Sequence, residues 1–174
     1  MTFRRRKIGI LDYGVGNLAS LKGALERLNY NVIVSENESV FESVDAIFLP
    51  GVGSFDYAMK NLVQMGMDKF LKQKFEDQDI KVVGICLGMQ ILFEHSEEGN
   101  TEGLGLIKGQ VKRFKNFECH VGWDLVAPTK NEIISEVSGL YFNHSFYVDC
   151  PSKYIHAVSK YQIEFPVLIK SNKF

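Results

Sequence analysis

Hydrophobic and polar positions alternate in blocks through the first half of the chain. Short apolar runs are separated by segments whose leucines repeat at helical spacing, as from Leu18 to Leu28. A longer helical pattern runs from Phe55 to about Gln78 with a break at Gly66, and Leu87–Phe93 begins another helix. The predicted strands are Lys7–Tyr13, Asn31–Ser35, Ala46–Leu49 and Lys81–Ile85. This alternation indicates an α/β fold with a mostly parallel sheet flanked by helices.

The pattern changes after Gly99, where the apolar runs become shorter and are joined by turns. These runs are Leu106–Phe114, Trp123–Val126, Leu140–Val148, Tyr154–Ser159 and Val167–Ile169. They predict antiparallel or mixed strands added at a sheet edge in the C-terminal half. Because no repeat or low-complexity linker is visible, residues 1–174 are predicted to form a single domain.

Composition narrows the classes of function. The 174 residues carry a net charge of −1, so nothing in the charge balance favours nucleic acid or an anionic membrane as a partner. No apolar run is long enough to predict a membrane span. The three cysteines form neither a zinc pattern nor a disulfide framework, so no metal site is expected and a cytoplasmic location is predicted.

One cysteine stands where an apolar strand passes into a helix, in the sequence Gly84-Ile85-Cys86-Leu87-Gly88. A side chain that projects from so sharp a turn requires unusual backbone angles, and its neighbours two residues away have no room for a β-carbon. The same turn places the sulfur at a helix N-terminus, which stabilises a thiolate. Cys86 is therefore predicted to be a nucleophile, and the alternative is a buried core cysteine between two packing glycines.

The segment 84–90 resembles the nucleophile elbow of class I glutamine amidotransferases. Within that family, the motifs most resemble those of the glutaminase subunits of imidazole glycerol phosphate synthase. The supporting stretches are Asp12–Leu18, Leu49–Phe55, Ser96–Gly99, Gly103–Gly109, His120–Trp123 and Tyr141–Ser145. The resemblance implies a flavodoxin-like α/β fold, with no cofactor.

The resemblance also implies a role for each matching position. Cys86 attacks the side-chain amide of L-glutamine and carries the glutamyl thioester. The residues implied to bind the oxyanion are Gly53 and Leu87, and those implied to bind glutamine are Gly51, Gln90, Glu98, His144, Ser145 and Phe146. Plainer alternatives remain for Gln90 as a helix-surface residue, for Glu98 as part of a solvated acidic turn, for Gly51 and Gly53 as simple turn glycines and for His144 as a satisfied sheet histidine.

The implied partner is a (β/α)8-barrel synthase subunit that forms a heterodimer with this chain and receives its ammonia. In this family the Val52–Gly53 peptide is thought to reorient when the synthase is active, and glycine makes such a flip sterically cheap. The partner surface is then expected around the elbow, including Asn17 and the Pro50–Ser54 loop.

The sequence departs from the family pattern at three places. The family completes its triad with a C-terminal His-Pro-Glu motif, whereas this sequence stops soon after Phe165–Lys170. The chain is therefore expected to be cut short of its general base and impaired in this form. Cys119 stands where proline is common, and Phe146 stands where an aromatic hydroxyl is often found. These two departures favour, as an alternative, a paralogue that supplies ammonia to a surface-sugar amidination enzyme.

Three alternatives lie outside that assignment. Gly14-Val15-Gly16 follows a strand and opens a helix, with Glu36 ending the next strand, which fits a dinucleotide-binding fingerprint. Against it, the Asp12 carboxylate in that turn repels a pyrophosphate. The second alternative is another cysteine-elbow hydrolase that needs no partner, and the third is a non-catalytic pseudo-enzyme subunit.

Overall fold

A computed structural model describes residues 5–77, 80–130 and 132–171. Four parallel strands form the first sheet, in the order β2-β1-β3-β4, as the alternating pattern predicted. They are β1 (Lys7–Leu11), β2 (Asn31–Ser35), β3 (Ala46–Gly51) and β4 (Lys81–Cys86). Strand β1 ends two residues earlier than predicted, because the Asp12 carboxylate accepts the Gly14 N–H and turns the chain there. Strands β3 and β4 run further, to Gly51 and Cys86, which are register partners.

The helices among the described residues are α1 (Leu18–Arg27), α2 (Glu38–Phe41), α3 (Phe55–Gln64), α4 (Met67–Asp77) and α5 (Leu87–Gln90). The predicted break at Gly66 is confirmed, since its φ of 73° separates α3 from α4. The predicted end near Gln78 lies outside the described residues. Helix α5 is a single turn rather than a helix to Phe93. The carbonyls of Ile91 and Phe93 instead accept hydrogen bonds from Leu104 and Gly105.

Side chains of the parallel strands alternate between two apolar layers. Ile8 packs in a cluster with Leu25 of α1, whereas Ile47 packs on the other face with Leu62 of α3 and Leu71 of α4. Both faces are therefore covered, which explains why these strands are nearly continuous apolar runs. No helix in the described ranges is long and apolar enough to cross a bilayer.

The second half forms two further sheets, ordered β10-β7-β5-β6 and β12-β11-β8-β9. The pairings are antiparallel except β5 with β7, so the predicted antiparallel or mixed character is confirmed. The predicted placement at an edge of the parallel sheet is wrong, because, within the part of the chain that the structure describes, these strands pair only with one another. The strands are β5 (His95–Ser96), β6 (Thr101–Glu102), β7 (Gln110–Arg113), β8 (His120–Pro128), β9 (Ser138–His144), β10 (Phe146–Asp149), β11 (Ile155–Lys160) and β12 (Glu164–Ile169), with 3-10 turns at Lys115–Phe117 and Ser152–Tyr154.

The predicted strand Leu140–Val148 is in fact two strands that meet at Ser145. Strand β9 pairs with β8 in one sheet, and β10 pairs with β7 in the other. The chain therefore passes between sheets at Ser145, whose carbonyl accepts a hydrogen bond from Phe114. This corner faces the end of β4 and forms one wall of the candidate site.

Candidate active site

Cys86 is the last residue of β4 and caps the N-terminus of α5, with φ 55° and ψ −117°. A non-glycine residue with positive φ is strained, and such strain concentrates at functional sites. The residue is exposed, so the alternative of a buried core cysteine is wrong. The strained turn holds the sulfur out of the sheet, at the rim of a cavity.

The two glycines of the elbow are required by close backbone packing. A β-carbon on Gly84 would lie 2.5 Å from the Met89 Cα, and one on Gly88 would overlap the Leu49 carbonyl. The distances confirm that positions two residues either side of Cys86 have no room for a side chain. The sequence Gly-x-Cys-x-Gly is thus a packing requirement of the turn.

The surroundings of the Cys86 thiol have two opposing effects on its pKa. Loss of hydration raises the pKa of Cys86, and a hydrogen bond with the Leu87 backbone lowers it. The expected stabilisation of the thiolate by the start of α5 is present, but it lowers the pKa by less than the loss of hydration raises it. The resting sulfur is therefore held more as thiol than the elbow alone suggested, and a base is needed to form the thiolate.

A cavity of about 310 Å³ opens at Cys86. It brings together every predicted site residue except Gly51. The residues that line it are Val52, Gly53, Cys86, Leu87, Gln90, Glu98, Cys119, Asn143, His144, Ser145 and Phe146. Gly51 instead packs behind the elbow, where a β-carbon would lie 2.6 Å from the Gly88 nitrogen. Sequence reasoning missed Asn143, which adjoins the predicted His144, and assigned no site role to Cys119, whereas Val52 belongs to the Val52–Gly53 peptide that the resemblance had already implicated.

Gln90 lies one turn beyond Cys86 and is only 7% exposed. Its Nε2 donates a hydrogen bond of 3.2 Å to the Phe146 carbonyl, linking α5 to the Ser145 corner. The helix-surface alternative for Gln90 is therefore wrong. The side chain holds two walls of the cavity together.

Glu98 is half-buried, and its Oε2 accepts a hydrogen bond of 3.0 Å from the Phe55 N–H at the start of α3. Burial raises the pKa of Glu98, the Phe55 amide opposes that rise, and the nearby Asp56 adds to it. The side chain is thus fixed by a helix terminus and faces the cavity with a carboxylate that protonates more easily than usual. It is not a freely solvated turn residue.

His144 lines the cavity with both ring nitrogens engaged. Nδ1 lies 2.7 Å from the Phe146 carbonyl and Nε2 lies 3.0 Å from Nδ1 of His120. Burial lowers the pKa of His144, with a smaller opposing effect from the Phe146 carbonyl. His144 is consequently not placed to accept the Cys86 proton.

A second cavity of about 330 Å³ lies on the other side of Cys86, between β4 and the second antiparallel sheet. Gly84, Ile85 and Met89 line one wall, and residues 140–144 and 165–167 line the opposite wall. Strand β4 has β3 as its only partner among the described strands, so Ile85 is 41% exposed beside this cavity. Cys86 is therefore reached from two sides.

The Gly14–Gly16 turn supports the adjacent loop rather than a phosphate. The Tyr13 hydroxyl donates to the Pro50 carbonyl at 2.5 Å, and a β-carbon on Gly16 would lie 3.0 Å from the Pro50 Cβ. The Gly14 N–H, which a pyrophosphate would need, donates to Asp12 at 3.2 Å. Within the described part of the chain, no group of three or more His, Cys, Asp or Glu side chains is arranged to hold a metal.

Comparison with known proteins decides the family. The profile of the family described as glutamine amidotransferase class-I matches residues 9–171. The chain belongs to the class I glutamine amidotransferases. Family membership sets aside the dinucleotide-binding alternative and makes the chain an enzyme of glutamine-dependent amide chemistry.

Relatives and solved structures agree with this family. The chain is 38% identical to imidazole glycerol phosphate synthase subunit HisH of Leptospira borgpetersenii, over 91% of this chain and 83% of the relative. It is 35% identical to HisH of Staphylococcus aureus strain bovine RF122 / ET3-1, over 96% and 84%. The fold resembles a crystal structure of a glutamine amidotransferase (TM-score 0.76, 18% identity, 95% and 85% covered) and that of PurLQS from Thermotoga maritima (TM-score 0.68, 16% identity, 92% and 77% covered).

Proposed function

We propose that this amidotransferase is the glutaminase component of an ammonia-delivering synthase, and that it serves histidine biosynthesis. The observation that carries the proposal is the strained Cys86 elbow opening onto a cavity lined by Gln90, Glu98 and the Ser145 corner. The HisH relatives support the choice of pathway, since they are named as subunits of imidazole glycerol phosphate synthase.

The proposed chemistry begins with attack of the Cys86 thiolate on the side-chain amide of L-glutamine. The negative charge that develops on the amide oxygen is stabilised by the backbone N–H groups of Leu87 and Gly53. Collapse of the tetrahedral intermediate breaks the C–N bond, and the nitrogen leaves as ammonia after it gains a proton. Water then cleaves the thioester and releases glutamate, which restores the thiol.

Glutamine is proposed to lie with its charged end away from Cys86. The half-buried Glu98 carboxylate pairs with the α-ammonium group, while the backbone and hydroxyl donors of Ser145 and Phe146 bind the α-carboxylate. Gln90 braces the same corner through the Phe146 carbonyl. Because His144 has both nitrogens engaged, the proton acceptor for Cys86 is proposed to be a group other than His144.

The ammonia is proposed to pass to a (β/α)8-barrel synthase subunit that docks beside the elbow. One face of β8 and β9 is apolar yet exposed: Trp123 is 74% exposed and Leu125 is 68% exposed. Tyr141, which pairs with Trp123 in the register, extends the same face. Exposed apolar patches of this kind mark protein interfaces. Asn17 and the Pro50–Ser54 loop complete the proposed surface.

Cys86→Ala tests the proposal in the subunit together with its synthase. Glutamine-dependent synthesis should be lost, because no other described thiol stands on an elbow, and synthesis with free ammonium should persist. Cys150→Ala is the matched control, since that half-buried cysteine lies away from the cavity. Glutamine-dependent activity that survives Cys86→Ala contradicts the proposal. A wild-type subunit without glutaminase activity in the complex supports the pseudo-enzyme alternative.

A further inference from the structure

Two histidines on neighbouring strands form a hydrogen-bond chain behind the Ser145 corner. His120 and His144 are partners in the β8–β9 register, and His120 Nδ1 lies 3.0 Å from His144 Nε2. At one end of the chain His120 Nε2 lies 2.6 Å from Asp124 Oδ2. At the other end His144 Nδ1 lies 2.7 Å from the Phe146 carbonyl. All four ring nitrogens therefore have a partner.

The hydrogen-bond chain is held rigidly at its centre. His120 is 2% exposed, and its ring stacks between Phe142 and Tyr161 at centroid distances of 4.7 and 4.5 Å. Phe165 lies edge-on to the same ring. A ring stacked on both faces cannot turn to seek other partners. The His120 ring therefore stays in place, and the hydrogen-bond chain can change only in which atoms carry its protons.

Counting protons shows what the three hydrogen bonds require. The Phe146 carbonyl only accepts, so His144 Nδ1 must carry a proton. One further proton is needed between the two rings, and a third is needed between His120 and Asp124. Two neutral imidazoles supply only two protons. The chain is complete only when Asp124, His120 and His144 together hold three.

The third proton belongs at the Asp124 end. Burial and the neighbouring His120 both lower the pKa of His144, which disfavours an imidazolium there. The contact of 2.6 Å between His120 and the half-exposed Asp124 suits a charge-assisted hydrogen bond. When that proton leaves, the carboxylate draws the Nε2 proton of His120, and both rings exchange tautomers. His144 Nδ1 then faces the Phe146 carbonyl without a proton.

That last contact belongs to the wall of the Cys86 cavity. The Phe146 carbonyl accepts hydrogen bonds from both Gln90 and His144, and Ser145 and Phe146 line the cavity. Losing the His144 donor would place a lone pair against the carbonyl and loosen the corner. The proton state of a buried chain is thus connected directly to the geometry of the cavity.

We propose that Asp124 and His120 are positioning residues for glutamine, and that through the His144 tautomer they set how the Ser145–Phe146 corner presents its donors. The proposal rests on the proposed glutaminase role of this cavity. Glutamine binding should weaken as pH rises and the chain loses its third proton. Asp124 creates this sensitivity, because it is the acceptor that competes with the Phe146 carbonyl for protons.

Few other titratable groups face the chain from the described elements. Tyr161 stacks on His120 and directs its hydroxyl to Glu118 at 3.3 Å. Cys86, Cys119 and Glu98 share the cavity with His144. The remaining ring neighbours, Phe114, Phe142 and Phe165, do not titrate. Because the wild type and Asp124→Asn share these other groups, comparing the two pH profiles isolates the contribution of Asp124.

Asp124→Asn is the decisive variant. Its amide N–H donates to His120 Nε2, so two neutral rings complete the chain and His144 keeps its Nδ1 proton at every pH. From about pH 5 to 9, the glutamine KM of the wild-type complex should rise about three- to tenfold relative to that of Asp124→Asn. Taking the ratio of the two proteins cancels the titration of glutamine itself. An identical pH profile for both proteins overturns the proposal.

Two further measurements separate positioning from simple packing. Glu102→Gln removes the carboxylate partner of His95, which is remote from the cavity, and should follow the wild-type profile. In a His144→Asn background, whose amide donates to Phe146 without contacting His120, Asp124→Asn should have no further effect. An Asp124→Asn effect that persists in that background contradicts action through His144.

Ring 15N NMR provides a readout that does not depend on glutaminase activity. The His144 Nδ1 proton should be lost at high pH in the wild type and retained in Asp124→Asn. Retention in both proteins overturns the proton chain, even if the enzyme is active. A complete absence of glutaminase activity, with the NMR behaviour as expected, would instead overturn the proposed function.

Discussion

At the residue scale, the reactivity of Cys86 reflects a competition between hydration and a helix terminus. Its thiol lies in a cavity that removes water and raises the pKa, while the Leu87 amide favours the thiolate less strongly. A raised pKa favours the protonated thiol, so chemistry there depends on a base that removes the proton. This arrangement protects the thiol from adventitious oxidants, which attack thiolates.

Labelling with two kinds of electrophile tests this account of Cys86. A diazo-ketone analogue of glutamine should label Cys86 much faster than Cys119 or Cys150, because the cavity binds the amino-acid part of the reagent. Iodoacetamide lacks that part, so its rate at Cys86 should keep rising with pH past the usual thiol range. Mass spectrometry of tryptic peptides measures all three rates. Equal labelling by the analogue contradicts the assignment, since Cys119 lines the same cavity.

Glu98 gives a second prediction at this scale. Glu98→Gln keeps an acceptor for the Phe55 N–H but removes the charge that pairs with the glutamine ammonium. The glutamine KM should rise by about 10- to 100-fold, which corresponds to loss of a charge-assisted contact. Because the pKa of Glu98 is raised, the wild-type kcat/KM should fall with decreasing pH already above the usual glutamate range. That acid limb should be absent in Glu98→Gln.

Glu97→Gln is the matched control for Glu98. Glu97 is the adjacent glutamate and also accepts a backbone N–H, from Arg113 at 2.7 Å, but it does not line the cavity. Steady-state kinetics of both variants should show the KM effect at Glu98 alone. Equal effects would return Glu98 to a purely structural role at the start of α3.

At the scale of elements, the elbow depends on how closely α5 approaches β3. Gly88→Ala would place a methyl group on the Leu49 carbonyl, and backbone on both sides leaves no room to move. We expect the free energy of unfolding to fall by about 2–3 kcal/mol or more. Gly23→Ala in α1 is the control, because its β-carbon meets only Arg27 at 3.6 Å. That variant should gain up to about 1 kcal/mol from helix propensity.

Urea denaturation of the two alanine variants measures the contrast. Both glycines lie in helices, so propensity favours alanine at each position. A loss at Gly88 together with a gain at Gly23 isolates the contact with β3. If Gly88→Ala is as stable as wild type, the packing explanation for the second elbow glycine is wrong.

The sequence predicts elements well where local pattern and tertiary packing agree. Strand β2 matches its predicted bounds, and Gly66 separates two helices as expected. The misses come from long-range pairing. Helix α5 stops after one turn because the 91–93 carbonyls bond to residues 104–107, and the run at 140–148 splits because its halves pair with different sheets. Neither partner is visible in the local pattern.

The candidate site shows the same contrast between what the local sequence predicts and what long-range packing decides. The resemblance to the family implied most of the residues that line the Cys86 cavity, and packing of elements distant in sequence brings them together. The hydrogen bonds that join them were not predictable, because they depend on rotamers and on which sheet each strand enters. His120 is the clearest case: its motif favoured a structural role over a catalytic one, but did not show that it connects Asp124 to His144.

At the scale of the whole molecule, Cys86 stands where the parallel sheet faces the two antiparallel sheets. Strands β8 and β9 carry the Ser145 corner at one end and an exposed apolar face along their length. A partner that docks on this face would contact the elements that form the cavity. Activity is therefore expected to respond to the partner through the loop at Val52 and Gly53, the exposed wall of the same cavity.

Gly53 offers the means to test that response. Its φ is 108°, a value that strains any L-residue, although a β-carbon there would meet nothing within 4 Å. A flip of the Val52–Gly53 peptide would turn φ by about half a circle into the negative region that alanine accepts. If the present geometry is the resting state, Gly53→Ala should disfavour it and raise the glutaminase rate of the lone subunit, by about fivefold for a strain near 1 kcal/mol. Gly53→Pro should lack the N–H that stabilises the oxyanion and lose about 10²–10³ in partner-stimulated rate. Steady-state assays with and without the synthase measure both effects. A Gly53→Ala subunit that is slower alone yet fully stimulated by its partner would show that the present loop geometry is already the active one.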